Sequence, residues 1–392
     1  MRAAVAAALA AGLLLVASGC GSSSASTHAV ETDAAALVPA SALAFVSADA
    51  DLDSEGWRAI KRVSGPLKFD TADFRAAIGG QLSLAVLAKH ETVAIVKPKD
   101  EAKLRSLAAA YKCTVQRVGE WSVVARSPES FQAVRDANSG TSLADTERFK
   151  DAVSELDGSS FAFAYANGSL VAQLPASVRP LLGSPRWLAA QVQATKDDVS
   201  VHVRSAGWSP VPYEPTLLRD VPSGAILAVS FKDASELPFL QVQLRGVDGE
   251  GVLYVVPGAI LPVITLEVQP RDPAAAEQSL RAIGTRIGKD LPLSVERRGG
   301  KVFLTTAEPG LTGGGRSLVD DQPFKDALAA ADVPKEVTWL AYADIQRLAP
   351  LVQAFGPLLA PNAQFTVQIP KDLDTLVAFG TSGRLDARVS LR

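Results

Sequence analysis

The sequence is poor in the residues that carry most metal-binding and nucleophilic chemistry. Its 392 residues include two cysteines, three histidines and one methionine. That methionine is Met1, so the rest of the chain offers no thioether to soft metals or oxidants. With Cys20 used otherwise, Cys113 would have no partner for a disulfide. An apolar core must then do what cross-links do in many small exported domains. Charge of one sign is also missing: 39 Lys and Arg face 42 Asp and Glu, and the cations are scattered. No nucleic-acid partner and no basic membrane-binding face are expected from such a balance. What the chain does have is 47% hydrophobic residues, enough for two domains with cores of their own.

The N-terminus carries the most specific signal. Arg2 precedes an apolar run at residues 3–16, shorter than the roughly 20 residues that span a bilayer. The run ends in small residues, Ala17, Ser18 and Gly19, directly before Cys20. A charged start, an apolar centre and a small-residue end describe a secretory signal peptide, here residues 1–19. The ending "VASGC" resembles the bacterial lipobox, which implies that Cys20 is lipidated after cleavage. Residues 20–36 are small and polar, without apolar periodicity, and read as a flexible tether. Two acyl chains anchor stably where one is marginal. The expected location is therefore extracytoplasmic, with the cell membrane as a partner through the lipid anchor.

The remainder reads as one pattern written twice. "SLADTERFKDA" (142–152) and "SLVDDQPFKDA" (317–327) agree at seven of eleven positions. In the same order, "LVPASALAFVS" (37–47) pairs with "DVPSGAILAVS" (220–230), and "VQRVGEWSVV" (115–124) with "VERRGGKVFL" (295–304). The domains expected are repeat 1 at 37–205, a proline-rich connector at 206–216, and repeat 2 at 217–392. Within repeat 1, residues 42–49 read as a strand, 81–98 as a hairpin and about 99–111 as a helix. A second hairpin, 113–126, turns at Gly119-Glu120, and its twin turns at Gly299-Gly300, where positive φ is wanted. A helix at about 145–156, a strand at 160–166, a helix-like stretch at 170–182 and a hairpin at 187–204 complete the copy. The fold class expected is α+β, two homologous halves, each a largely antiparallel sheet with helices on one face.

Several of these segments together resemble a known family. The first strand of "VPASALAFV", the run "VAIVKPKDEAKL", the hairpin "VGEWSVVA" and "SLADTERFKDA" followed by a strand are similar to domain of unknown function 3352. The resemblance covers about residues 37–392 and implies an exported, often lipid-anchored bacterial protein. It brings no catalytic or binding residues with it. The second copy departs by shortening the region after its first strand, at 232–251.

Motifs for chemistry are nearly absent. Asp49, Asp51 and Asp53 alternate as calcium ligands do, and are the candidate metal residues. Counted from Asp49, however, position 6 is Ser54 rather than glycine and position 12 is Ile60 rather than glutamate. Asp53 or Ser54 capping a helix that begins near Glu55 explains the same residues. His28 falls in the tether, His90 at a turn and His202 on a strand, all read as solvated. "HETVA" lacks the second histidine of a zinc-protease helix, having Ala94 there, and "TGGGRS" (312–317) lacks a Walker lysine. No serine stands three residues before a lysine, and no Gly-x-Ser-x-Gly occurs. Cys113 has no nearby histidine and reads as a buried structural thiol. No catalytic residue and no cofactor are expected.

Three functions follow, with different structural signatures. A non-catalytic binding or interaction module would meet an envelope protein or other envelope component. A carrier would take a lipid or other hydrophobic ligand between sheet and helices, with 252–268 and 174–188 as apolar stretches to line it. A carboxylate-dependent hydrolase would show a buried carboxylate pair in a cleft.

Overall fold

The structure is a computed structural model, and it describes residues 32–64, 71–87, 91–156, 160–171, 185–207, 210–233, 248–258, 261–287, 293–307, 315–351 and 370–392. The signal peptide, Cys20, His28, His90 and most of the stretch 174–188 lie outside the described residues, as do 234–247 and 308–314. The chain divides near residue 208 into two compact units.

Unit 1 contains strands β1 (Ala44–Asp49), β2 (Ile78–Val86), β3 (Thr92–Pro98), β4 (Thr114–Val118), β5 (Trp121–Ala125), β6 (Ala162–Asn167), β7 (Trp187–Ala194) and β8 (Asp198–Ala206). They lie in the order β8-β7-β6-β1-β2-β3-β5-β4, and the paired neighbours run antiparallel. Its helices are α1 (Glu55–Ser64), α2 (Thr71–Ala77), α3 (Glu101–Ala110), α4 (Pro128–Ser139) and α5 (Glu147–Ser154). Unit 2 contains β9 (Leu227–Asp233), β10 (Asp248–Val256), β11 (Val263–Pro270), β12 (Ser294–Arg298), β13 (Lys301–Thr305), β14 (Trp339–Asp344), β15 (Leu373–Thr381) and β16 (Arg384–Leu391). Their order is β12-β13-β11-β10-β9-β14-β15-β16, which is the plan of unit 1 with every strand number raised by eight. Helices α6 (Pro273–Ile287) and α7 (Gln322–Ala330) occupy the chain positions of α3 and α5. The class is α+β with antiparallel sheets.

The sequence explains the local structure. Asp100 accepts the N–H groups of Ala102 and Lys103 and so starts α3, while Asp272 does the same for Ala274 and Ala275 before α6. The tight turns between β4 and β5 and between β12 and β13 place Gly119, Gly299 and Gly300 at positive φ, as expected. In α3, Glu101 binds Arg105 one turn on and reaches Arg117 on β4; in α6, Glu277 binds Arg281 and reaches Arg297 on β12. Phe149 meets Tyr165 edge to face at 5.2 Å, and Phe324 meets Tyr342 likewise at 5.0 Å.

Helices cover both faces of each sheet, which corrects the expectation of one. In unit 1, Phe131 and Val134 of α4 and Phe149 of α5 pack on Phe45, Ile95 and Val123. On the opposite face, Ala77 of α2 and Leu104 of α3 pack on Ile78, Val96 and Val124. Unit 2 repeats this, with Phe324 of α7 against Ala228 and Tyr342, and Leu280 of α6 against Val229, Phe231 and Val302. The physical reason is visible on β3: the adjacent Ile95 and Val96 point to opposite faces and both are buried, which needs a strand covered on both sides.

The folded part also begins earlier than residue 37. Asp33–Leu37 forms a 3-10 helix whose Ala34 and Ala35 are fully buried in the core, so these small apolar residues are not tether. At the other junction, Tyr213 of the connector pairs with Val337, and its hydroxyl lies 2.7 Å from Ser230 Oγ. Among the described residues, no helix is long and apolar enough to cross a membrane.

Candidate functional site

The aspartate run is occupied by its own backbone. Asp49 Oδ1 accepts the Asp51 N–H at 2.8 Å, Asp51 Oδ1 accepts the Asp53 N–H at 3.1 Å, and Asp53 pairs with Arg75 at 3.0 Å. Ser54 Oγ accepts the Trp57 N–H and opens α1, as the capping alternative requires. No group of three or more metal-ligating side chains occurs among the described residues. Cys113 is half-buried rather than buried; its thiol donates to the Tyr111 carbonyl beside the C-terminus of α3. His202 is half-buried on β8.

Charge is concentrated elsewhere. A cleft of about 220 Å³ opens on unit 2, walled by Tyr254, Phe303, Arg219 and Arg316. On its floor, Lys301 Nζ donates to Glu267 Oε1 at 2.9 Å and to Asp220 Oδ2 at 2.6 Å. Glu267 is 1% exposed, so its charge is taken almost wholly out of water. Burial pushes its carboxyl above the usual range, outweighing the hydrogen bond and charge of Lys301 that pull it down. Burial alone would lower Lys301, but its bonds to two carboxylates hold it above the ordinary lysine value. Burial also pushes the Tyr254 phenol up to about 12. Glu250, next to the floor, is tied to the Leu217 N–H and the Thr216 hydroxyl. Arg316 is exposed at the rim; its backbone carbonyl accepts the Ser223 N–H, and its guanidinium makes no hydrogen bond or ion pair with another described side chain.

Register makes the cleft legible against unit 1. With Ser47 of β1 set equivalent to Ser230 of β9, the pairing places Ala85 at the position of Tyr254 and Ile95 at that of Glu267. One strand further, Val123 stands where Phe303 is, and Trp121 where Lys301 is. Leu37 matches Asp220 in the same alignment. Unit 1 therefore has an apolar layer where unit 2 has a charged floor. That layer is covered by Phe131 and Val134 of α4. The seventeen residues 126–142 contain α4, whereas their counterpart, 306–317, has twelve and no helix among its described residues.

Of the cleft residues, Tyr254 and Glu267 fall in the apolar stretch 252–268, and Gly315, Arg316 and Ser317 in the "TGGGRS" stretch that lacks a Walker lysine; no sequence motif points to Asp220 or Lys301. Single-residue contrast between the two units in register, Ile95 against Glu267 and Trp121 against Lys301, is the signal that points to them. The cleft meets the hydrolase signature only in part, because both carboxylates are held by one lysine. Its floor is charged, unlike the apolar cavity expected of a carrier.

No protein-family model and no curated protein matches the sequence. Among solved structures, crystal form I of TP0453 aligns at 12% identity over 75% of this chain and 96% of that chain, with a TM-score of 0.22. Crystal form IV of TP0453 aligns at 11% identity over 71% and 93%, with a TM-score of 0.23. Scores this low carry no argument about fold or function.

Proposed function

We propose that this is a lipid-anchored extracytoplasmic binding protein, built by internal duplication, in which repeat 1 is a filled scaffold and repeat 2 carries the binding cleft. The anchor rests on Cys20 and its small-residue approach, and on the resemblance to domain of unknown function 3352. Duplication is supported by the shared strand order, the matched Glu-Arg-Arg clusters and the matched aspartate caps. The observation that carries the binding role is the buried carboxylate of Glu267, bound by Lys301, which also reaches the exposed Asp220, on the floor of an open cleft. Burying a carboxylate such as Glu267 costs several kcal/mol, and an apolar residue of similar volume would serve stability as well or better. Unit 1 demonstrates the apolar alternative on the same register. A charged floor that stability does not require is explained by a ligand. The site is non-catalytic in this reading, with neither a free nucleophile nor a carboxyl released from Lys301.

Native mass spectrometry on residues 31–392, exported in a bacterial host and purified gently, tests the reading. The expected result is a retained small polar molecule that is lost from the Arg316→Ala variant. A bare polypeptide mass, with no binding by any small polar probe, would sink the binding role. A retained molecule with long alkyl chains would favour the carrier instead.

A further inference from the structure

The ligand's charge can be read from the cleft, granted the binding role proposed above. Three cations, Arg219, Lys301 and Arg316, line it against two carboxylates, Asp220 and Glu267. Each carboxylate accepts one bond from Lys301, and three cations against two carboxylates leave the lining one positive charge in excess. Lys301 has three ammonium hydrogens and donates two of them, which leaves one donor. Arg219 is only loosely held, 3.9 Å from the exposed Glu214. The Arg316 guanidinium has five donors, none of them in a hydrogen bond with another described residue, although its charge also acts on Asp321. The lining is therefore net positive, with donors to spare on Lys301 and Arg316.

We propose that the cleft of unit 2 binds a small anion of the carboxylate or phosphate-ester type, held between Lys301 and Arg316. Asp220 and Glu267 act as positioning residues: they hold the lysine upright and charged, and they touch no ligand atom. Arg316 supplies the planar, two-pronged donor that matches either anion, and Tyr254 and Phe303 wall the apolar part of the ligand. A cleft that is small and partly walled off by protein strengthens such charge-assisted bonds relative to open water.

Isothermal titration of the soluble protein, residues 31–392, with inorganic phosphate, acetate and methylammonium at constant ionic strength tests this. Saturable one-site binding of phosphate or acetate is expected, and whichever of the two binds more tightly identifies the ligand's head group. Arg316→Ala should weaken that binding about tenfold or more, the loss of one charge-assisted hydrogen bond. Because Arg316 is exposed, this variant is expected to fold as the parent does, and an unchanged unfolding midpoint checks it. Lys301→Met combined with Glu267→Gln, which removes the buried charge pair together, should abolish it. Anion binding that survives Arg316→Ala unchanged would overturn the proposal as adventitious. Binding of methylammonium without either anion would overturn it too, yet leave the binding role standing. No binding by any probe, joined with a bare mass in the native spectrum, would bring down both.

Discussion

Glu267 and Lys301 stand where the first unit has Ile95 and Trp121, and that exchange has measurable consequences. Lys301→Met alone strands a buried carboxylate and should destabilise the protein by about 3 kcal/mol or more. Adding Glu267→Gln should recover most of that loss, which equilibrium urea unfolding of the three proteins would show. The pH dependence has a definite sign. Burial raises the carboxyl of Glu267 in the folded state, so its contribution is fully present below the unfolded value, about 4.3, and is lost as pH rises through the folded value. Relative to Glu267→Gln, the parent should therefore lose stability across that window and no further above it. A difference that stayed flat with pH would mean that Lys301 fully compensates the burial. These residues were invisible to motif reading because Asp220, Glu267 and Lys301 come from three separate places in the chain. No spacing connects them; only the register of the sheet does.

At the scale of elements, much was legible. The hairpins β2–β3, β4–β5 and β7–β8, the helix α3 with its Glu101–Arg105 pair, and the glycine turns all follow from alternation, capping and positive-φ chemistry. Less legible was which faces the helices cover. Sequence periodicity gives each helix one apolar stripe but not the side of the sheet it meets; the burial of adjacent Ile95 and Val96, which point to opposite faces of β3, shows that both are covered. The aspartate run misleads in the opposite direction, since alternation that resembles ligand spacing is also what successive side-chain-to-backbone turns produce. The two caps give an internal control. Asp100→Ala and Asp272→Ala each remove an acceptor for two helix N–H groups, and each should cost about 1 kcal/mol in urea unfolding. A cost from one and none from the other would argue against equivalent helices α3 and α6.

The molecule as a whole has two units with the same strand order, of which the second has an open charged cleft, and a proposed lipid anchor at Cys20. The anchor makes its own prediction: Cys20→Ala should move the protein from the membrane fraction to the soluble fraction, and the mass of the parent's N-terminal peptide should include acyl chains. Membrane retention of Cys20→Ala would contradict lipidation there. The central claim is that unit 2 binds a ligand at a place that unit 1 fills with its own core. Its most direct test is a crystal structure of the protein purified from the envelope of an exporting host. The account predicts density for a small anion between Lys301 and Arg316, with Phe131 and Val134 packed on Ile95 and Val123 at the matching place in unit 1. A cleft closed by the protein's own side chains would contradict it.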